Sequence, residues 1–423
     1  MSDAVEVGLP QGTLRGLRAA GISRFCGIPY GQAPIGPLRF AAPEPACWSG
    51  QLNVTGPAPI APQLPSRLRD AMGDFIATQD EDCLRLTIWT PGTDAARRPV
   101  VIWLHGGAWQ SGGILPWYDG ARLAAQGDVV VVAVSYRLAA LGWLALPGGM
   151  PNAGLLDQEL AVDWVIKHIA AFGGDPAALT LMGQSAGASS ICAMLARQPR
   201  FSRAILQSAA LGRGWRSAAQ GERLAQAYMN ACGVRSLDEA RELPVSTLLA
   251  AQQHPVVLQA LQDEGSGRSL FAPVRDGAIL PEDMDAALAR AVARADVLVS
   301  YTRDEMAAFP GQGVNAASAA LGDEFFDQPA RAWAANAARH GRQSWLARFD
   351  VAPTARFGAC HCIELPFVFG NLDVFAHAPM LQGLSAGAAA SLSQQTQRAW
   401  IAFIRGQSPG WPPAPHQQAL TAH

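Results

Sequence analysis

Apolar positions along this chain fall into two alternating rhythms. Short runs rich in Val, Ile and Leu recur at 84–90, 99–104, 129–136, 178–182, 203–208, 297–302 and 344–350. Their length and β-branched content predict buried strands. The stretches between them carry a helical period instead. At 160–172, Leu160, Trp164 and the group Val165, Ile166 and Ile169 form one apolar stripe, Asp163 and Lys167 face each other across a turn outside it, and Gly173 and Gly174 stop the helix. Strands alternating with helices predict a mostly parallel central sheet covered on both faces, an α/β fold. Glycine- and proline-punctuated β runs at 7–40 predict a small antiparallel edge. The Ala-rich polar stretch at 212–290 reads as helical cap insertion. No linker, charge block or internal repeat divides the chain, so residues 1–423 are expected to form one domain.

Chemistry concentrates at the ends of these strands. The run Ala178 to Met182 leads into Gly183-Gln184-Ser185-Ala186-Gly187, with a small-residue helix behind it. A strand–serine–helix turn this tight strains the serine backbone and holds its hydroxyl above the sheet edge, where it can act as a nucleophile. The helix start behind it points N–H groups at any anion forming there. The strand at 99–104 runs into His105-Gly106-Gly107-Ala108, a loop free of bulky side chains whose N–H groups can gather around an oxyanion. A serine also needs a base oriented by a carboxylate. Of eight histidines, His105 sits in that loop, His168 lies on the predicted helix, and the others except His361 lie in polar or terminal stretches. His361 follows the strand at 344–350. The strand at 297–302 ends just before Asp304 and Glu305, and both carboxylates stand as candidates for the acid. Serine, acid and then histidine is the chain order of α/β-hydrolases.

These segments resemble the type-B carboxylesterases, which include the cholinesterases and the bacterial p-nitrobenzyl esterases. The resemblance runs through FCGIPYGQAPIGPLRF, EDCLRLTIWTP, LHGGAWQSGG, NAGLLDQELAVDWVIKHIAAFGGDP, GQSAG, SYTRDE and CHCIELPFVFGNLD. It implies an α/β-hydrolase fold and cofactor-free hydrolysis of carboxylic esters through an acyl-serine. It also implies Ser185 as nucleophile, Glu305 as acid and His361 as base. Gly107, Ala108 and Ala186 would be oxyanion donors, Gly106 would shape their turn, and Ser208 would support the triad. The pairs Arg39 with Glu81 and Arg137 with Asp175 resemble structural ion pairs of the family. Gln184 stands where glutamate is usual, which disfavours cationic substrates such as choline esters. Met306 replaces a usual glycine, and the region 306–343, a wall of the site, is shorter than usual, predicting a more open cleft. Cys83 matches a family half-cystine without a partner in the preceding segment.

Composition narrows the partners. A net charge of −2 with 16% charged residues excludes a basic nucleic-acid or membrane-binding face. The apolar window 129–146 is broken by Arg137, which disfavours a membrane span. The opening residues carry acids and no apolar core, and cysteines number seven, so thiols and a cytoplasmic location are expected. The adjacent Cys360, His361 and Cys362 cannot easily present three ligands to one metal ion. Trp109, Trp117, Trp215, Phe309 and Phe357 fall near the motif loops and are candidates to line the pocket. The same triad also serves amidases, carbamate hydrolases and transacylases. A non-catalytic cholinesterase-like role is disfavoured by retention of Ser185, Glu305 and His361 together.

Overall fold

The computed structural model describes residues 3–265 and 267–422; Met1, Ser2, Ser266 and His423 lie outside it. Its strands, in chain order, are β1 (Asp3–Leu9), β2 (Gly12–Ala19), β3 (Ile22–Pro29), β4 (Gly50–Asn53), β5 (Arg85–Thr90), β6 (Arg98–Leu104) and β7 (Val130–Val134). There follow β8 (Gly174–Gln184), β9 (Arg203–Gln207), β10 (Arg216–Ser217), β11 (Val274–Arg275), β12 (Asp296–Thr302), β13 (Ser344–Phe349) and β14 (Gln417–Leu420). Twelve of them form one sheet in the order β1-β2-β3-β5-β7-β6-β8-β9-β12-β13-β14, with β4 beside β2. From β7 to β14 every neighbour is parallel, whereas β1, β2, β3, β5 and β7 pair antiparallel. The predicted α/β architecture and antiparallel edge are therefore present.

The sheet divides the core in two, and strand alternation decides which residue goes where. In β6, Val100, Ile102 and Leu104 join one apolar cluster while Val101 and Trp103 join the other. The neighbouring β7 divides the same way, with Val130, Val132 and Val134 against Val131 and Ala133. The helix Ala186–Ala196 is buried along its whole length. Gly187 explains how it gets so close: a Cβ there would lie 2.0 Å from the Leu104 carbonyl oxygen. That contact seats the start of the helix directly on the end of β6.

Two insertions stand over the carboxyl ends of the parallel strands. One carries the short pair β10–β11 and the helix Ala218–Cys232, which starts with a reciprocal Ser217–Gln220 capping box. The other contains the helices Ala316–Gly322 and Gln328–Arg339, joined by a π-turn at Asp323–Asp327. No helix among the described residues is long and apolar enough to cross a membrane. All seven cysteines are free thiols, and Cys83 is buried.

Three details differ from the sequence reading. The helix at 160–172 begins earlier, at Ala153, and turns 3-10 at Ile169–Phe172. Asp163 bonds Arg200 rather than Lys167. Arg137 pairs with Asp157, not Asp175, through a bidentate contact with Nη2–Oδ1 at 2.6 Å, both side chains almost fully buried. Geometry requires this. Arg137 follows the carboxyl end of β7 and Asp175 opens β8, and parallel strands put those ends on opposite sides of the sheet. Asp175 bonds Arg97 instead, at 2.9 Å. The expected pair of Arg39 with Glu81 is present and largely buried.

Candidate active site

Four strand ends converge beneath the insertions. At the end of β8, Ser185 takes φ 53° and ψ −119°, a backbone conformation that L residues adopt only under constraint. Two features hold it there. Its N–H donates to the Gln207 carbonyl at 2.8 Å, and its own carbonyl accepts the Ser189 N–H at 2.9 Å to open the helix. A side chain on Gly183 would meet Gly187 and Ala188 backbone atoms at under 3 Å. The strained elbow is thus imposed from both sides.

The loop after β6 lies against this serine. A Cβ on Gly106 would sit 3.1 Å from Ser185 Cβ and 2.2 Å from Gln184 Oε1, so only glycine allows the approach. Gly107, Ala108 and Trp109 follow with φ of 109°, 55° and 57°. The loop is held in part by Gly107, whose carbonyl accepts from the N–H groups of Gln110 and Ser111. The N–H groups of Gly107, Ala108 and Ala186 have no acceptor among the described residues. Three unengaged donors beside a strained serine form a ready anion site. His105 anchors the loop from below. Its ring stacks on Tyr136 at 4.3 Å, and its Nδ1 lies 2.8 Å from the Gly106 carbonyl. Burial lowers its pKa to about 4, so it stays neutral at working pH.

Glu305 and His361 meet across two other loops. Glu305 Oε2 lies 2.5 Å from His361 Nδ1, and both side chains are 1% exposed. The other carboxylate oxygen accepts from Ser208 Oγ at 2.6 Å and from the Thr302 N–H at 2.8 Å. Asp304, the other candidate carboxylate, makes different contacts. It accepts the Ala359 N–H at 2.8 Å, while its own N–H donates to the Ala359 carbonyl at 2.9 Å, zipping the two loops together. Phe309 and Phe326 flank the imidazole, each with its ring centroid 5.3 Å away.

The Ser185 hydroxyl itself makes no hydrogen bond among the described residues. His361 Nε2 instead lies 3.1 Å from the Gln184 side-chain amide, which also reaches Cys362 Sγ at 3.2 Å. Ser185, Ala108 and His361 nonetheless line one groove, which shares Ser185, Ala108 and Phe309 with an adjoining cleft. Trp109, Trp215 and Phe309 line that cleft. Trp117 and Phe357 do not: Trp117 stacks on Phe375 and meets Phe75 edge-on, and Phe357 is buried in the same core. Cys360 and Cys362 are both buried; only Cys362 borders the groove, and burial holds its thiol pKa well above normal.

Several participants were not picked out from the sequence. Thr302 acts through its backbone, which no side-chain pattern reveals. Phe326 comes from a π-turn that periodicity does not anticipate. Glu364, three residues after His361, is fully buried with Oε1 3.3 Å from Gln207 Nε2 and no partner on Oε2. Its signal, a lone acid inside an apolar run, was available.

The chain belongs to the carboxylesterase family, whose model matches residues 3–317. It is 38% identical to a probable N-octanoylanthranilate hydrolase of Rhodococcus erythropolis, covering 95% of this chain and 94% of that protein. It is 34% identical to the para-nitrobenzyl esterase of Bacillus subtilis strain 168, covering 95% of this chain and 91% of that one. The solved structure of a thermophilic PNB esterase superposes with a TM-score of 0.88 at 30% identity, over 99% of this chain and 96% of the other. The protein is a carboxylic ester hydrolase of the α/β-hydrolase fold.

Proposed function

We propose that the protein hydrolyses small-molecule carboxylic esters through an acyl-serine, with Ser185 as nucleophile, His361 as base and Glu305 as the acid that orients it. The Glu305–His361 contact at 2.5 Å, with Glu305 held by Ser208 and Thr302, carries this reading. It favours the imidazole tautomer with its proton on Nδ1, leaving Nε2 free to accept.

In this mechanism the ester carbonyl enters over Ser185. The Gln184 amide releases Nε2, and the serine hydroxyl turns to it. His361 takes the proton as Oγ attacks the carbonyl carbon. The resulting oxyanion is received by the N–H groups of Gly107, Ala108 and Ala186, in the turn shaped by Gly106, each donor contributing roughly 3 kcal/mol to barrier lowering. His361 then protonates the departing alkoxide, the carbon–oxygen bond breaks, and an acyl-Ser185 ester remains. Water repeats the sequence: His361 deprotonates it, it attacks the acyl carbon, and Ser185 leaves with its proton restored. No metal or cofactor is called for in any step. The segments 212–290 and 306–343 serve as walls of the site within a single domain.

Kinetics of p-nitrophenyl butyrate hydrolysis with added methanol test the reading. An acyl-serine partitions between water and alcohol, so methyl butyrate should appear while p-nitrophenol release stays ping-pong. Absence of the methyl ester, with turnover intact, would oppose a common acyl-enzyme. An amidase reading has one observation in its favour, the relative named as a hydrolase of an N-acyl compound. Assay of butyryl-p-nitroanilide beside the ester separates the two.

A further inference from the structure

The cleft beside Ser185 carries more positive charge than its walls can neutralise. Four arginines border it: Arg67, Arg213, Arg216 and Arg268. Arg216 is satisfied, bonded by Glu264 with both side chains 3% exposed. The other three have no carboxylate within ion-pair distance among the described residues. Arg213 donates to the Gly267 carbonyl and lies 3.6 Å from Met306 Sδ, and Arg268 donates to the Arg213 carbonyl. Arg67 makes no hydrogen bond among the described residues. Asp70, an acid on the outer groove, faces Arg356 at 3.9 Å.

Two of these cations converge on the catalytic centre. The guanidinium carbons of Arg67 and Arg213 lie 5.7 Å and 6.0 Å from the centroid of the Phe309 ring, and that ring is 5.3 Å from the His361 ring. Arg67 is exposed and Arg213 half-buried, and the carboxylate whose charge Arg213 feels is that of Glu305. Burial first, and then the charge of Arg67, pulls the Arg213 pKa down to about 10, which still leaves it a cation at neutral pH. Planar guanidinium groups with unused donors are suited to bidentate recognition of a carboxylate. Most of the remaining lining is apolar, with Trp109, Trp215, Leu211 and Phe326 among it, and Ser189 and Ser269 are polar members beside Ser185.

Resting on the esterase reading above, we infer that the natural substrate is an apolar ester bearing a carboxylate, which Arg67 and Arg213 hold on the Phe309 side of the cleft. Gln184, neutral beside the histidine, adds no second carboxylate to that of Glu305 there. The carboxylate completes the charge balance of the site, and the apolar body of the substrate fills the aromatic part.

Two matched pairs test the inference and locate the charge. For the acyl half they are 4-nitrophenyl hydrogen adipate and its methyl ester; for the leaving half, 4-butanoyloxybenzoate and its methyl ester. At low ionic strength kcat/KM should favour the acid member of one pair by about tenfold or more, a preference eroded by salt. Arg67→Gln should cut that ratio by about tenfold, Arg213→Gln likewise, and Arg67→Lys should restore part of it. The methyl ester measured in the same preparation corrects for folded protein, and Arg67, which has no hydrogen-bond partner to lose, covers the event that the Arg213 variant misfolds. Equal or lower kcat/KM for both acids, or a ratio indifferent to Arg67, would overturn the inference while leaving the esterase reading intact. Equilibrium binding of each pair to Ser185→Ala, read by tryptophan fluorescence, separates the two readings further. Tighter binding of an acid there, with neither pair turned over by the wild type, would sustain the anion site and oppose the esterase.

Discussion

Around His361 the spacing of a few polar atoms decides what the imidazole can do. The Gln184 amide at 3.1 Å keeps company with Nε2 without adding charge. Exchanging it for a carboxylate would favour the protonated ring. Gln184→Glu should therefore move the acid limb of the kcat/KM profile to higher pH, which a profile between pH 5 and 9 would show; an unmoved limb would mean that the side chain points elsewhere in solution. Ser208→Ala removes a hydrogen bond from a buried carboxylate and should cost about 1–3 kcal/mol in denaturant unfolding, together with a fall in kcat. Glu364 makes a prediction of opposite character. Burial raises its pKa from 4.5 to about 7. Between those values the folded protein holds a proton that the unfolded chain has released, so stability from this group is present below the lower value and lost as pH rises through the upper one. Glu364→Gln should remove that loss: its urea midpoint relative to wild type should climb from pH 4.5 to pH 7.5. The slope from His105 has the other sign but is common to both proteins and cancels in the comparison.

Among the elements, the turns do the positioning, and glycine makes them possible. A Cβ on Gly107 would lie 1.9 Å from the Ser111 carbonyl oxygen, on a residue already at φ 109°. Gly107→Ala should thus displace the oxyanion donors and lower kcat by roughly 10²–10³, the loss expected when such a donor is misplaced. If the variant melts like wild type, the loss is one of catalysis and not of folding. These turns were the most legible part of the sequence. GQSAG and HGGA are local, and short spacing brought Ser185, Gly106, Gly107 and Ala108 to the places where the structure has them. Glu305 needed the family resemblance, since Asp304 beside it has the same chemistry and differs only in which loop it ties. What stayed hidden depended on packing between distant segments. Arg137 finds Asp157 because a helix passes there, and Trp117 turns into the core because Phe375 arrives from far along the chain.

Across the whole molecule, one sheet links the stability of the core to the accuracy of the site. The serine elbow, the glycine loop and Glu305 leave strands β8, β6 and β12 of one sheet, β6 beside β8 and only β9 between β8 and β12, so their separation is set by backbone hydrogen bonds rather than by side chains. The buried pair Arg137–Asp157 braces the region just beyond β7. Breaking it with Asp157→Ala leaves an uncompensated buried cation and should cost about 3–5 kcal/mol, measurable by urea unfolding. An unchanged midpoint would mean that water or a neighbour replaces the acid. Above the sheet, the segment 212–290 brings Arg213 to the cleft and the segment before β5 brings Arg67, the two arginines inferred to hold the substrate. The most direct measurement for the molecule is rapid acid quench during steady-state turnover of p-nitrophenyl butyrate, followed by peptide mass spectrometry. A butyryl adduct on the peptide carrying Ser185, absent from Ser185→Ala together with p-nitrophenol release, is the predicted result. Undiminished turnover by Ser185→Ala, or an adduct on a different residue, would contradict the proposed nucleophile.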